Sequence, residues 1–419
     1  MEGILLCTFI CLLSFFICIF APVTIIGEWG MAFLDFNEKY IKMRKKMQWV
    51  MVVTLICSTY VLASCSNNED NAAIVKIQGG KWDPQVRNAL NELLDKAGKD
   101  SYAVFDFDQT SIVHDISNAL WVYQIEHLCY SDAPAHNFLD GIPTPEDVMP
   151  GKELTYAEMG SVLSVEYESM TARMDAGESI ETVRKSDVYL DFRARMVTLM
   201  EAMDEQWGSW VTYLWQPGLL SGYTEAEARA IVRDVITEHL GKERLAVEQW
   251  RSPDGLWGGN VQRGIWVSPE MKNLYQCLQA SGIDVYVCSA SLELIVEVLA
   301  CDSAWGIGLP AEQVYGLRFV SGEKIIAQFD SEYKQPIKEG KVDCIQTYMS
   351  PAYGNAGPVL VAGDSNGDVA MLTAFPDMRH GLIIDVGRSA ESAIGKLATQ
   401  AREEGNKGRY LLQPSFERE

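Results

Sequence analysis

Apolar residues fall along this chain in two distinct regimes. Two long apolar stretches come first, Ile4 to Ile26 and Trp49 to about Leu62. The first is long enough to cross a bilayer as a helix. Beyond them the spacing is that of a folded protein. Trp82 to Ala97 has the period of an amphipathic helix, with Asp83 and Pro84 as start signals. Ser101 to Phe107 is a short apolar run and predicts a buried strand. From Ile116 to Gly264 the pattern is mostly helical, and Thr224 with Glu227 forms a capping box ahead of Ala228, Ile231, Val232 and Val235.

The pattern then alternates. Ser268-Pro269 opens a helix to Ala280, with proline at its first position. Ile283 to Cys288 reads as a strand and Leu292 to Ala300 as a helix. Val314 to Val320 and Lys324 to Phe329 predict a hairpin around Ser321-Gly322. Lys341 to Met349 is a helix, Val359 to Ala362 a strand, Val369 to Phe375 a helix and Gly381 to Asp385 a last strand. Strands that alternate with helices imply a parallel sheet covered on both faces.

Composition changes this picture only at the N-terminus. The chain is 48% hydrophobic and 22% charged, which is globular rather than disordered. Its net charge of −22 argues against nucleic acid as a partner. Met43-Arg44-Lys45-Lys46 precedes the second apolar stretch, which closes on Leu62-Ala63-Ser64-Cys65 and a polar run, Ser66 to Asn71. Basic, apolar, small, Cys and polar tether in that order is an export signal. It resembles a bacterial lipobox, which implies a lipoprotein signal at 43–65, a lipid on Cys65, a tether at 66–80, and an exported protein held at the membrane facing periplasm or exterior. Residues 1–42 then read as an upstream extension or an extra hydrophobic segment. Of ten cysteines only Cys129, Cys277, Cys288, Cys301 and Cys344 lie in the globular part. With no CxxC pair among them, buried free thiols are expected.

Candidate chemistry sits at the strand ends. Asp106-Phe107-Asp108-Gln109-Thr110 follows the first predicted strand, and a spacing of two puts both carboxylates on one side. Gly363-Asp364-Ser365-Asn366-Gly367-Asp368 repeats the device after the strand Val359 to Ala362. Two acidic strand ends in one parallel sheet make an oxygen-rich site for a hard cation, and magnesium suits it best. Ser289 follows another strand and is expected at a helix N-terminus, facing an anion. Lys341 is placed at a helix start, where a cation is disfavoured by roughly 0.3–1 kcal/mol and so calls for an anionic partner. Lys338 competes with it for that role.

This order of motifs, over residues 101 to about 386, resembles the haloacid dehalogenase superfamily of phosphatases. Within it, Pro269-Glu270-Met271, Gly282-Ile283-Asp284-Val285 and Ser289-Ala290-Ser291 look like the phosphoserine-phosphatase and phosphorylcholine-phosphatase branch. The resemblance implies a Rossmann-like parallel sheet core at 81–115 and 265–419, with a large, mostly helical cap at 116–264. It makes Asp106 the nucleophile, Asp108 the general acid and base, and Lys341 the residue that stabilises the phosphorylated aspartate. Thr110, Ser289 and Ala290 would bind substrate. Asp106, Asp108 through its carbonyl, and Asp364 would hold magnesium, with Asp368 orienting them. The implied substrate is a small phosphorylated metabolite such as phosphocholine or a phosphoserine-like compound. Gln109 departs from the smaller residues usual at that position. The alternatives are phosphotransfer to an acceptor other than water, or a lipid-anchored protein that captures ligand without turnover. The rings of Trp121, Tyr123, Trp215, Trp250 and Trp257 could form a cage for a quaternary ammonium, although packing of the cap is the plainer role for most of them.

Overall fold

A computed structural model describes residues 75–417, apart from 97, 99, 132–137 and 321. The expectations for the export signal, for Cys65 and for residues 1–74 in general lie outside the described residues. No helix among the described residues is long and apolar enough to cross a membrane.

The chain begins with helix α1, Pro84–Lys96, and strand β1, Ser101–Phe105. Asp83 starts the helix by accepting the amides of Gln85 and Val86. After β1 come helices α2 (Ile116–His127), α3 (Tyr156–Asp175), α4 (Ile180–Val183), α5 (Asp187–Trp207), α6 (Ser209–Gly218) and α7 (Glu225–His239). Strands β2 (Ala246–Arg251) and β3 (Gly258–Arg263) form an antiparallel hairpin. Then follow α8 (Pro269–Ala280), β4 (Ile283–Leu292), α9 (Glu293–Ala300), β5 (Val314–Leu317), α10 (Glu339–Cys344), β6 (Leu360–Gly363), α11 (Val369–Ala374), β7 (His380–Asp385), α12 (Ala393–Glu403) and β8 (Tyr410–Pro414).

Six strands pair in parallel in the order β5-β4-β1-β6-β7-β8. The alternation of a strand explains how β1 serves two layers. Ala103 and Phe105 face a cluster with Val86 and Leu90 of α1 and Leu274 of α8. Tyr102 and Val104 face the opposite cluster, with Cys344 of α10, Met371 and Leu372 of α11, and Ile394 of α12. A sheet buried on both faces needs unbroken apolar strands, which is why β1, β4 and β6 stand out in the sequence.

A third cluster fills the cap, with Trp121, Tyr156, Phe192, Trp215 and Trp250 at its centre. Helix α2 joins the two regions: Ile116 and Leu120 pack with the sheet, Val122 and Ile125 with the cap. Helix α7 lies within the stretch read as cap, yet Ala228, Val232 and Val235 pack with the core.

Four expectations need correcting. The hairpin β2–β3 lies where the pattern read as helix. Its strands bury only Trp250 and Val261, so they show no alternation, and only the Asp254-Gly255 turn, with Gly255 at φ 75°, marks it. The hairpin expected at 314–329 does not form as a ladder among the described residues: β5 joins the parallel sheet, and Ile325 is taken by the backbone of Gly222 and Tyr223. A single antiparallel bridge, Phe319 to Phe329, remains of it. Asp385 does not end the last strand, because α12 and β8 follow and β8 extends the sheet past β7. Finally β4 runs on to Leu292, so Ser289 lies in a strand rather than at a helix start. A register shift against β5 between Cys288 and Leu292 bends the strand there and re-aims its end.

Candidate active site

The first site loop is held by its own backbone. Asp106 N–H donates to the Ala362 carbonyl of β6, and the amides of Ser111 and Ile112 turn back to the Phe107 carbonyl. Ser111 Oγ donates to the Asp106 carbonyl at 2.5 Å and lies 2.6 Å from the Tyr275 hydroxyl. These contacts fix Asp106 just past β1, at the carboxyl edge of the sheet where open α/β folds bind ligands.

The second loop is organised by Asp368. Its Oδ2 accepts the amides of Asp364 and Ser365 and the Ser365 hydroxyl, and its Oδ1 accepts from Lys341 Nζ at 2.6 Å. A Cβ on Gly363 would lie 2.4 Å from the Asp368 Cβ, so only glycine permits this turn. Lys341 is 2% exposed and donates equally to Asp106 Oδ1 at 2.6 Å. Oxygens of Asp106, Asp364 and Asp368 all lie within 4.8 Å of one another. On the outer side, the half-exposed Arg388 donates to Asp364 Oδ2 at 2.7 Å.

Three buried carboxylates thus face two cations. Burial raises the Asp106 pKa to about 8, helped by Asp368 and opposed by Lys341. Burial and Asp368 likewise raise Asp364 to about 7 against Arg388. Burial alone would depress Lys341, but Asp106 and Asp368 hold it well above the usual lysine range. The excess of negative charge and the all-oxygen donor set fit a hard divalent cation.

Asp108 faces the same space with a different set of partners. Its Oδ1 accepts the Ile116 amide at 2.8 Å, and its Oδ2 accepts from Ser291 Oγ at 2.6 Å, which in turn accepts from Ser117 Oγ. Burial and the neighbouring Asp115 push the Asp108 pKa well up, which favours a carboxyl that keeps its proton.

These groups open into a cavity of about 560 Å³ between sheet and cap. Asp106, Asp108, Ala290, Ser291, Lys341, Asp364 and Arg388 line the core side, and Asp204, Ser209, Tyr213 and Gln216 the cap side. The exposed Lys338 also lines it, but Lys341 is the lysine in contact with Asp106. Ser289 is buried and accepts the Ser291 amide; of these two serines, Ser291 lines the cavity. Thr110 is buried away from this cavity, with no hydrogen-bond partner for its hydroxyl among the described residues. Gln109, at φ 59°, reaches 3.2 Å across to Gln262 on β3 and ties the loop to the cap. The five rings considered for an ammonium cage do not line the cavity. Trp121, Trp215 and Trp250 lie in the cap core, where large flat side chains contribute most by burial. Tyr213 is the aromatic residue on the wall.

Ser111, Ser291, Tyr213 and Arg388 escape a reading of the sequence. Ser291 lies two residues past Ser289 and needs only the longer strand to be found. Arg388 carries no local signal, because its loop meets Asp364 only through the pairing of β6 with β7.

Residues 197–373 match the family model described as haloacid dehalogenase-like hydrolase. That span contains Ser289, Lys341, Asp364 and Asp368, and begins after Asp106 and Asp108. A phosphorylcholine phosphatase from Pseudomonas aeruginosa is 23% identical over 338 residues, covering 74% of this chain and 81% of that protein. A solved structure of a conserved protein of unknown function from Anaerococcus prevotii superposes with a TM-score of 0.72 at 29% identity, covering 80% of this chain and 94% of the other. The chain is thus similar to haloacid dehalogenase-like hydrolases over residues 197–373, and its parallel sheet gathers the two acidic loops at its strand ends.

Proposed function

We propose that the protein is a magnesium-dependent phosphomonoester hydrolase that works through an aspartyl phosphate on Asp106. One observation carries this reading: Asp106 emerges from β1 with one oxygen on Lys341, beside Asp364, and faces a cavity large enough for a small metabolite. Asp106, Asp364 and the carbonyl of Asp108 would hold magnesium, which supplies positive charge against the phosphoryl oxygens.

The protein's own groups account for the steps. Lys341 steers and partly neutralises the phosphate dianion, so that the Asp106 carboxylate can approach it. Asp106 attacks phosphorus, the bond to the leaving oxygen breaks, and Asp108 gives that oxygen its proton. Asp108, now ionised, takes a proton from water, which hydrolyses the aspartyl phosphate and frees inorganic phosphate. The hydroxyl relay from Ser117 through Ser291 holds Asp108 in place. Ala290 and Ser291 on the wall, with Ser289 behind Ser291, support the substrate pocket.

Two features support a leaving group that carries an ammonium, as in phosphocholine or phosphoserine-like compounds. One is the relative from Pseudomonas aeruginosa; the other is the placement of Asp115 and Asp204 on the wall. Export and lipidation at Cys65 belong to the same proposal and rest on the sequence. Mass analysis of the mature N-terminus tests them, and an unmodified chain that begins before Cys65 overturns them.

The activity is tested with a panel of phosphomonoesters, with magnesium and after chelation. Asp106→Asn should lower turnover on the order of 10⁵-fold with an unchanged circular dichroism spectrum. A folded variant that keeps near-normal activity overturns the assignment.

A further inference from the structure

Away from the active site, two helices end on the same dipeptide. Glu126-His127 closes α2 and Glu238-His239 closes α7. Carboxylate oxygens of Glu126 and Glu238 and a ring nitrogen of His239 all lie within 4.8 Å of one another. His239 is 2% exposed, and its Nε2 has no hydrogen-bond partner among the described residues. A buried polar atom left unpaired costs about 1–3 kcal/mol, so this nitrogen asks for a ligand. His127 Nε2 lies 2.9 Å from Glu238 Oε2 and its ring stacks on Tyr123, which fixes that carboxylate from behind.

We propose that Glu126, Glu238 and His239 form a second divalent-metal site, chemically distinct from the strand-end acids and suited to zinc rather than magnesium. One imidazole with two carboxylates is a borderline donor set, which prefers zinc and its neighbours to a hard ion. Two helix C-termini converge there, and their dipoles favour positive charge. His127 then plays the supporting part of a group that orients a ligating carboxylate.

Arg263 is the competitor. Its guanidinium pairs with both oxygens of Glu126 and lies 3.6 Å from Glu248. A carboxylate offers about four lone-pair positions, so Glu126 can keep Arg263 and still ligate an ion, at some loss of affinity from the like charge. The place gives the ion a consequence. Helix α2 leads into the cap, α7 packs on the core, and β3 returns the chain from cap to core at Arg263. An ion bridging Glu126 to Glu238 and His239 would join these crossings and stiffen the join.

The test is zinc titration of the chelator-stripped full chain in excess magnesium, which occupies the strand-end acids. One zinc per chain should bind and raise the melting temperature. His239→Gln and Glu238→Gln should each weaken zinc about ten- to a hundredfold while leaving magnesium-dependent phosphatase activity unchanged. No zinc binding by the wild type, or equal binding by wild type and both variants, overturns the site. Should the variants not fold, X-ray absorption of the zinc-loaded wild type decides: an imidazole in the shell supports the site and an all-oxygen shell overturns it. Phosphatase activity is read in the same samples, so loss of this site and loss of the Asp106 reading are told apart.

Discussion

The core and the cap handle buried charge in opposite ways. In the cap, Arg195 of α5 pairs with Glu166 of α3. This pair joins two elements and points at no common centre. In the core, Asp106, Asp364 and Asp368 converge on one small volume with Lys341 between two of them and Arg388 outside. That pair is settled within the fold, whereas the core's acids are left short of cations. Under the proposed function, a site that binds a divalent ion and then a phosphate must keep unspent negative charge and a free electron pair on its nucleophile. A cap that has to shape a cavity gains more from aromatic burial and closed ion pairs.

The contrast can be broken at its centre first. Lys341→Met leaves Asp106 and Asp368 buried without their shared cation. Turnover should fall on the order of 10²–10³-fold, and the metal-free protein should lose about 3–5 kcal/mol. Steady-state kinetics and thermal melts check both; a variant as stable as the wild type would show that the core charges are solvated after all.

Magnesium should act on the core alone. Adding it to the chelator-stripped wild type should raise the melting temperature by several degrees, since an ion bound only to the folded state stabilises it. Asp364→Asn should shrink that difference. An equal response in Asp364→Asn and wild type, measured by calorimetry, would move the metal elsewhere.

Glu166 tests the cap. Burial and Asp191 raise its pKa to about 7 although Arg195 opposes them. A carboxyl raised in this way favours folding fully below its unfolded value near 4.5, and the contribution is lost as pH rises through 7. Between pH 5 and 8 the wild type should lose on the order of 1–3 kcal/mol relative to Glu166→Gln, with or without magnesium. Parallel stability curves for the two proteins would refute the shift.

The smallest effect is expected on the cavity's cap wall. Tyr213→Phe removes a hydroxyl and leaves the ring, so KM should rise several-fold with kcat nearly constant, about 1 kcal/mol. A fall in kcat of the size expected for Lys341→Met would bring Tyr213 into the chemistry.

Much of the core is legible in the order of residues alone. Apolar runs buried on both faces stand out as strands, and acids directly after two of them mark one edge of the sheet. The capping box at Thr224 and the proline start at Ser268-Pro269 are local devices, and both form as read. The hairpin β2–β3 is not legible, since a strand with five exposed residues in six has no apolar period to detect. The end of β4 is misplaced because its last residues are held by a shifted register against β5, which is not written in β4 alone.

The chain by itself determined which side chains could do chemistry and on which strand ends they stand, because strand period, turn residues and motif spacing act over a few neighbouring residues. Only the tertiary structure decided that Lys341 reaches Asp106, that Ser291 rather than Ser289 holds Asp108, and that Arg388 closes on Asp364. Trp121, Trp215 and Trp250 also needed the fold, which put them in the cap's core and left Tyr213 at the wall. These outcomes follow from the pairing of distant strands and from the competition of large side chains for one buried volume, and no short window of sequence contains either.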